Sequence, residues 1–368
     1  MKRLIAVLTI LLLGGAVLTA HAEEAPSLDS EQLSQLQRIA ANLFAPLPDV
    51  VENSENEVTE AKVTLGKMLW YDPRLSKSGF ISCNSCHNLA TYGVDNLSTS
   101  LGHMWAVGPR NAPTALNAAL HEAGQFWDGR AKDVEEQAQG PVLNPIEMGT
   151  PHEEFAVDRI ASMPQYVAMF DEAFPEAETA LTYENIANAI GAFERTLTTP
   201  DRFDDFLQGD TEALSTDEAL GLQAFITLGC AGCHNGAAIG GNQLARFGVV
   251  ESYWEVTRDV VTLDTPTQPL DVGKFSVTHD QNDLYVFKVP SLRNITRTYP
   301  YFHDGSVWNL RDATQVMARV QLGRELDEVT VDQLMAFYET LEGEIPTYAL
   351  TLPVLPASTQ ETSQPEFR

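Results

Sequence analysis

Apolar and polar positions along this chain recur mostly at helical spacing, with little of the strict alternation that marks strands. Leu33, Leu36, Ile39, Ala40 and Leu43 fall three or four residues apart and predict one helix face ahead of Pro46 and Pro48. Val58 through Trp70 predicts a second helix, with Leu65-Gly66 and Leu69-Trp70 on its packing side. Residues 115–139 read as helical up to a break over Gly140-Pro141-Val142-Leu143-Asn144-Pro145, and helical patterns resume at Glu153–Met163, Tyr166–Ala173 and Tyr183–Leu197. A further helix is expected from about Thr216, where Asp217 and Glu218 suit the first turn. Val329–Leu341 predicts a last one, with Leu334, Phe337, Tyr338 and Leu341 as its apolar stripe. Two stretches lack such periodicity: the Gly-, Asn-, Ser- and Pro-rich run from His87 to Thr114, and residues 235–316, which read as loop with short strands. The Pro-, Thr-, Ser- and Gln-rich tail after Pro346 is expected to be mobile or draped over the surface. The pattern as a whole predicts an all-α fold with long loops.

The N-terminus adds a compartment. Met1-Lys2-Arg3 is basic, Leu4 to Ala20 is apolar, and Ala20-His21-Ala22 is small-x-small ahead of Glu23, the form of a cleavable export signal over residues 1–22. The expected location is a periplasm. The expected division of the rest is 23–182 and 183–346 as two units, with 347–368 as a tail. Without Lys2 and Arg3 the chain has 21 basic against 51 acidic residues, a formal charge of −30. Nucleic acid and anionic membrane are poor partners for such a surface, whereas a basic electron-carrying protein would be steered to it.

All four cysteines lie in two pentapeptides, Cys83-Asn84-Ser85-Cys86-His87 and Cys230-Ala231-Gly232-Cys233-His234. In each C-x-x-C-H unit, two thiols can bond covalently to the vinyl groups of a haem and the imidazole can bind its iron. A zinc site would need four convergent ligands, and a redox dithiol needs no histidine there. Two such units with no cysteine left over point to two c-type haems.

Function then turns on the other face of each iron: a second strong ligand makes an electron carrier, an open or displaceable position allows chemistry on a small ligand. Near the first motif the candidates are His103, His121, Met104 and Met148, with His103 favoured because its Gly-rich loop can fold back over the haem. Near the second they are Met317 and Met335. Met317 is favoured, as the return of the chain after a long loop. Peroxide chemistry also needs a proton carrier, for which Glu147 and Glu122 are the candidates. Trp127 reads either as core or as a residue between haems.

In order along the chain, C-N-S-C-H, L-G-H-M-W-A-V-G-P-R-N-A-P-T, F-W-D-G-R-A, I-E-M-G, C-A-G-C-H, P-S-L-R-N-I-T-R-T-Y-P-Y-F-H-D-G and V-M-A-R-V-Q-L-G closely resemble the bacterial di-haem cytochrome c peroxidases, a family that extends to the methylamine-utilisation maturation enzyme. The resemblance covers essentially the whole mature chain. It implies two c-type cytochrome domains with haem-wrapping loops, the first peroxidatic and the second for electron transfer. It makes His87 and His103 the ligands of the peroxidatic haem, with His103 displaced on activation, and His234 and Met317 the ligands of the electron-transfer haem. Cys83, Cys86, Cys230 and Cys233 become the covalent attachments, Glu147 the carboxylate beside the open iron, and Trp127 the residue between haems. Asn111, Thr298 and Pro300 match an interdomain calcium site, and His303 belongs to the second haem's surroundings with no assigned role. The implied reaction is reduction of hydrogen peroxide to water with electrons from a small soluble cytochrome c or cupredoxin, in a homodimer. A di-haem electron carrier and a protein-modifying oxidase are the rival readings, the latter disfavoured by a methionine at 317 where the maturation enzyme has tyrosine.

Overall fold

The computed structural model describes residues 28–260 and 270–367, so the expected export signal lies outside the described residues. The chain is predominantly helical. In order the helices are α1 (Ser30–Leu43), α2 (Glu60–Tyr71), α3 (Cys83–Cys86), α4 (Val134–Leu143), α5 (Glu153–Ala161), α6 (Pro164–Ala173), α7 (Tyr183–Glu194), α8 (Arg202–Leu207) and α9 (Thr216–Leu228). There follow α10 (Tyr253–Val260), α11 (Phe275–Thr278), α12 (Leu310–Leu322), α13 (Glu328–Glu339) and α14 (Thr347–Leu350). The described sheet is one antiparallel pair, β1 (Leu244–Arg246) on β2 (Val286–Lys288), with Leu244 opposite Lys288. No described helix is long and apolar enough to cross a membrane.

Two large buried clusters organise these elements. The first gathers Leu65, Leu69 and Trp70 of α2 with Tyr166 and Phe170 of α6 and Ile186, Ile190 and Phe193 of α7. The second joins Leu36 and Ala40 of α1 to Phe203, Phe206, Leu222 and Phe225, and to Leu334 and Phe337 of α13. Thus α1, although first in the chain, packs with the second cluster. A boundary at 182/183 would cut α7 away from the cluster that buries it.

Each cluster is built on one close helix crossing. A Cβ on Gly66 of α2 would come 1.8 Å from the Ala189 carbonyl oxygen of α7, and one on Gly221 of α9 would come 1.9 Å from that of Gln333 in α13. Both glycines follow a leucine, Leu65-Gly66 and Leu220-Gly221, on the helix that leads toward a C-x-x-C-H motif. Missing side chains let the backbones approach, and the flanking leucines fill the seam. The halves also share a tie. Asn117 and Asn294, both with φ of +60°, each donate Nδ2 to Thr199 Oγ1, at 2.9 and 2.8 Å. Arg293, fully buried, pairs with Asp201 and Asp204 at 2.6 Å each and so anchors the first turn of α8.

Local differences from the sequence pattern have identifiable causes. The break expected over 140–145 falls late in that run: Pro141 lies inside α4, in its last turn, where the ring forfeits one bond and the helix stops two residues later at the Asn144 cap. Residues 115–133 hold a single 3-10 turn, Ala118–Leu120, rather than a continuous helix. In α1, Leu36 and Ala40 are buried but Ile39 is exposed. The tail is draped, and over the first cluster rather than the second. Ala349 enters that cluster, Arg74 donates to the Pro356 carbonyl at 2.8 Å, and Arg159 to Ser363 at 2.6 Å.

Candidate functional site

The first motif forms the single turn α3, with Ser82 before it and His87 closing it. Cys83 and Cys86 are not joined in a disulfide, and burial raises both thiols, Cys86 to about 11. His87 Nδ1 lies 2.9 Å from the Pro113 carbonyl. A carbonyl can only accept, so the proton sits on Nδ1 and Nε2 keeps its lone pair for a metal. Burial also lowers the His87 pKa, which keeps the imidazole neutral.

His103 lies in the 3-10 turn His103–Trp105, as a loop held closed by the Leu101–Val107 bridge. Its backbone N–H donates to the Glu147 carbonyl at 2.6 Å, and its buried Nδ1 has no hydrogen-bond partner. Gly149, at φ +68°, makes room for the ring: a Cβ there would lie 2.9 Å from His103 Cγ. The two residues after His103 are left-handed, Met104 at φ +55° and Trp105 at +64°, and Trp105 is 79 % exposed. Non-glycine residues in that region carry strain, which the loop's own backbone bonds, among them Gly102 N–H to the Ala106 carbonyl at 2.9 Å, must offset.

Glu147 sits on the turn after α4. Its Oε1 accepts from Asn144 Nδ2 at 2.8 Å. Burial raises its pKa, against the opposing pull of Arg130 and the Asn144 bond, and it lies near enough to Cys86 to raise that thiol as well. Cys86, His103 and Glu147 are therefore gathered in one place. Glu122 is not among the groups found there.

The second motif follows α9 through Gly229, whose φ of +100° ends the helix, into the 3-10 turn Cys230–Gly232. His234 is buried and its pKa falls to about 4 for that reason, leaving a neutral imidazole. Met317 does not lie at the end of a loop. It stands in the middle of α12, which Asn309 caps and Gly323 ends, so its position is set by a rigid element. Cys230, Cys233, His234 and Met317 line one mainly apolar cavity of about 1700 Å³, counting its open mouth. Met335 is only partly buried, packed against the second cluster.

This cavity continues toward the first half of the chain, where Trp127, Asn111, Thr298, Pro300 and His303 also line it. Trp127 Nε1 donates to the Asn111 carbonyl at 2.8 Å, and the Asn111 N–H donates to that of His303 at 2.7 Å. The His303 ring stacks on Phe287 at 4.0 Å and meets the Tyr253 hydroxyl at 3.0 Å through Nε2. The Asn111 amide nitrogen is spent on Leu97, which turns Oδ1 the other way. Among the described residues, no three His, Cys, Asp or Glu side chains converge as a metal site.

Free C-x-x-C thiols beside neutral buried imidazoles, one lining an apolar cavity that also holds a thioether, fit a haem at each motif. His121, a candidate near the first motif, lines the second motif's cavity instead, and two buried groups escaped the sequence reading as functional candidates: Lys288 and Glu194. Lys288 had a signal, as the one charge in Val286-Phe287-Lys288-Val289; Glu194 had none, because its burial depends on how α7 packs.

The sequence pattern of the family described as di-haem cytochrome c peroxidase matches residues 60–212. The cytochrome c551 peroxidase of Pseudomonas aeruginosa is 44 % identical over 337 residues, covering 91 % of this chain and 93 % of that protein. The cytochrome c551 peroxidase of Nitrosomonas europaea is 49 % identical over 304 residues, 82 % of this chain and 86 % of that protein. Among solved structures, a MauG-like protein associated with microbial copper homeostasis superposes with a TM-score of 0.69 at 27 % identity, over 83 % of this chain and 97 % of that one.

Proposed function

The chain belongs to the di-haem cytochrome c peroxidase family, and from that premise we propose which of its residues carry the reaction. It is an enzyme that reduces hydrogen peroxide with two covalently bound c-type haems and electrons from a redox partner protein. Each haem, when bound, supplies an iron, one to receive peroxide and one to take up and pass on single electrons.

In this reading Cys83 and Cys86 would hold the first haem with His87 as an iron ligand, while Cys230 and Cys233 would hold the second with His234 and Met317 as iron ligands. His103 would be a second, displaceable iron ligand at the first site, leaving when its loop moves. Glu147 would carry a proton from one peroxide oxygen to the other, and with two electrons from the donor protein and two further protons from solvent the peroxide ends as two waters. The burial of Glu147 supports this, because a carboxyl whose pKa is raised holds a proton more readily than an exposed glutamate does. Trp127, donating to Asn111 between the two sites, keeps an aromatic bridge in the cavity. Calcium at Asn111, Thr298 and Pro300 would stiffen that region through oxygen ligands. The two units, with α1 assigned to the second, act in a periplasm as a homodimer, and the donor is a small basic cytochrome c or a cupredoxin.

The observation that carries the proposal is the meeting of the His103 loop with the Glu147 turn, joined by the His103 N–H to Glu147 carbonyl bond, with Cys86 beside them. The test is peroxide consumption by the holoprotein, reduced at one haem, with calcium and reduced cytochrome c. Two donors should be oxidised per peroxide, and Glu147→Gln should lower kcat/KM by roughly 10²- to 10⁴-fold. No turnover with both irons six-coordinate would leave a di-haem electron carrier, and unaltered turnover in Glu147→Gln would remove that residue from the mechanism.

A further inference from the structure

Two nitrogen side chains from opposite halves of the chain meet in the cavity, and neither has a part in the reaction above. His121 follows the 3-10 turn Ala118–Leu120 and Lys288 closes β2; Lys288 Nζ lies 2.9 Å from His121 Nδ1. They are 7 % and 4 % exposed, and both line the cavity that holds Cys230, His234 and Trp127.

An ammonium can only donate, so the bond runs from Nζ to the lone pair of Nδ1 and the imidazole proton sits on Nε2. That Nε2–H is buried and has no partner. The ring is boxed in, since Gly241 at φ +79° brings backbone so close that a Cβ would lie 2.3 Å from His121 Cδ2. Lys288 forms no ion pair among the described residues. The carboxylate that acts on it, Asp128, is already spanned by Arg110 at 2.6 Å and Arg130 at 2.8 Å. Burial pushes Lys288 down to about 7, with Asp128 opposing, and burial followed by Lys288 itself pushes His121 down. A buried ammonium without a counter-charge, beside an imidazole N–H without an acceptor, is a strongly unfavourable pair unless an anion completes it.

We propose that His121 and Lys288 hold a propionate carboxylate of the haem attached at Cys230 and Cys233, and thereby raise that haem's reduction potential. The proposal rests on the reading of the second site given above. A c-type haem is bonded to its cysteines along one edge and carries its two propionates on the other. Cys230 packs with the second cluster near Tyr338, whereas Lys288 lies on the Trp127 side, its N–H donating to the Trp127 carbonyl at 2.7 Å. A positive charge that offsets a propionate favours the reduced iron over the more positive oxidised one. The same contact would tie the first half of the chain, through His121, to the haem of the second.

The test is spectroelectrochemical titration of both haems in purified holoprotein at fixed pH and salt, for the parent, Lys288→Met, Lys288→Arg and His121→Gln. The midpoint of the Cys230/Cys233 haem should fall in Lys288→Met, fall less in His121→Gln and stay at the parental value in Lys288→Arg, while the other haem's moves little. Propionate bands in the resonance Raman spectrum should shift in Lys288→Met, a change that looser packing alone would not produce. Unchanged midpoint and propionate bands in a Lys288→Met protein carrying both haems would overturn the proposal. Should that variant fail to fold, the same two readouts on His121→Gln decide. Peroxide turnover is not among these readouts, so a failed peroxidase assignment would show in the turnover experiment and leave this outcome legible.

Discussion

At the scale of single residues, the chain keeps several buried ionisable groups in the state that burial favours. Glu194 is the strongest case. It is fully enclosed at the end of α7, its Oε2 has no partner, and burial, then the charge of Glu135, hold its carboxyl well above the usual range. Glu135 itself is the opposite case, held low by Arg195 at 2.7 Å and by Asn56 at 2.9 Å. A carboxyl with a raised folded-state pKa binds its proton more tightly in the folded than in the unfolded chain. Its contribution to stability is complete below the unfolded value, about 4.5, and is lost as pH rises through the folded one. Glu194→Gln should therefore flatten the fall of Tm as pH rises above about 4.5 and raise Tm at the alkaline end, as thermal unfolding followed against pH would read. A variant with the parental slope would mean that Glu194 is ionised in the fold. None of this was legible in the sequence, where Glu194 is one acidic residue among many.

At the scale of elements, the two halves repeat one device. A Leu-Gly helix crosses a second helix at backbone contact and then delivers a C-x-x-C-H turn. Two bridged loops repeat as well: Leu101–Val107 closes around His103, and Tyr301–Val307 around His303. The close crossing makes a sharp prediction. A methyl group at Gly221 cannot be absorbed by a flexible side chain, because what it meets is the Gln333 carbonyl, so α9 and α13 must separate. Gly221→Ala should cost about 1–3 kcal/mol in urea unfolding, and Gly66→Ala a similar amount by the same contact with Ala189. Because α9 leads directly into Cys230, the Gly221 variant should also take up its second haem less completely, which haem content per chain would measure. Helix positions here were readable from periodicity and capping, as with Ser215 before α9. The break expected over 140–145 shows the limit: the helix ends within it, at Asn144, but runs through Pro141, because a proline forbids a bond to its own nitrogen and in the last turn of a helix that loss is small.

At the scale of the whole molecule, the formal charge of −28 for the full chain makes the surface an attractor for cations. If the donor is a basic cytochrome c, kcat/KM for donor oxidation should fall steeply as ionic strength rises from about 10 to about 200 mM, while kcat changes little, because screening shortens the reach of the steering field. A rate indifferent to salt would point to a neutral or acidic donor. The molecule is also stitched across its halves by contacts far apart in sequence: Thr199 accepting from both Asn117 and Asn294, His121 against Lys288, and the tail running back from α14 to Arg74 and Arg159.

Composition and short-range pattern alone determined the helical class and the presence of two c-type haems, because each depends on residues within a few positions of one another. The sequence order of the motifs also singled out His103, Met317, Glu147 and Trp127. What only the tertiary structure decided is long-range: that α1 packs with the second cluster, that Met317 stands on a helix, that the tail covers the first cluster, and that a lysine and a histidine 167 positions apart share one hydrogen bond. Periodicity reports which face of an element is buried but not against what, and a buried charge becomes informative only once its neighbours, and their absence, are known.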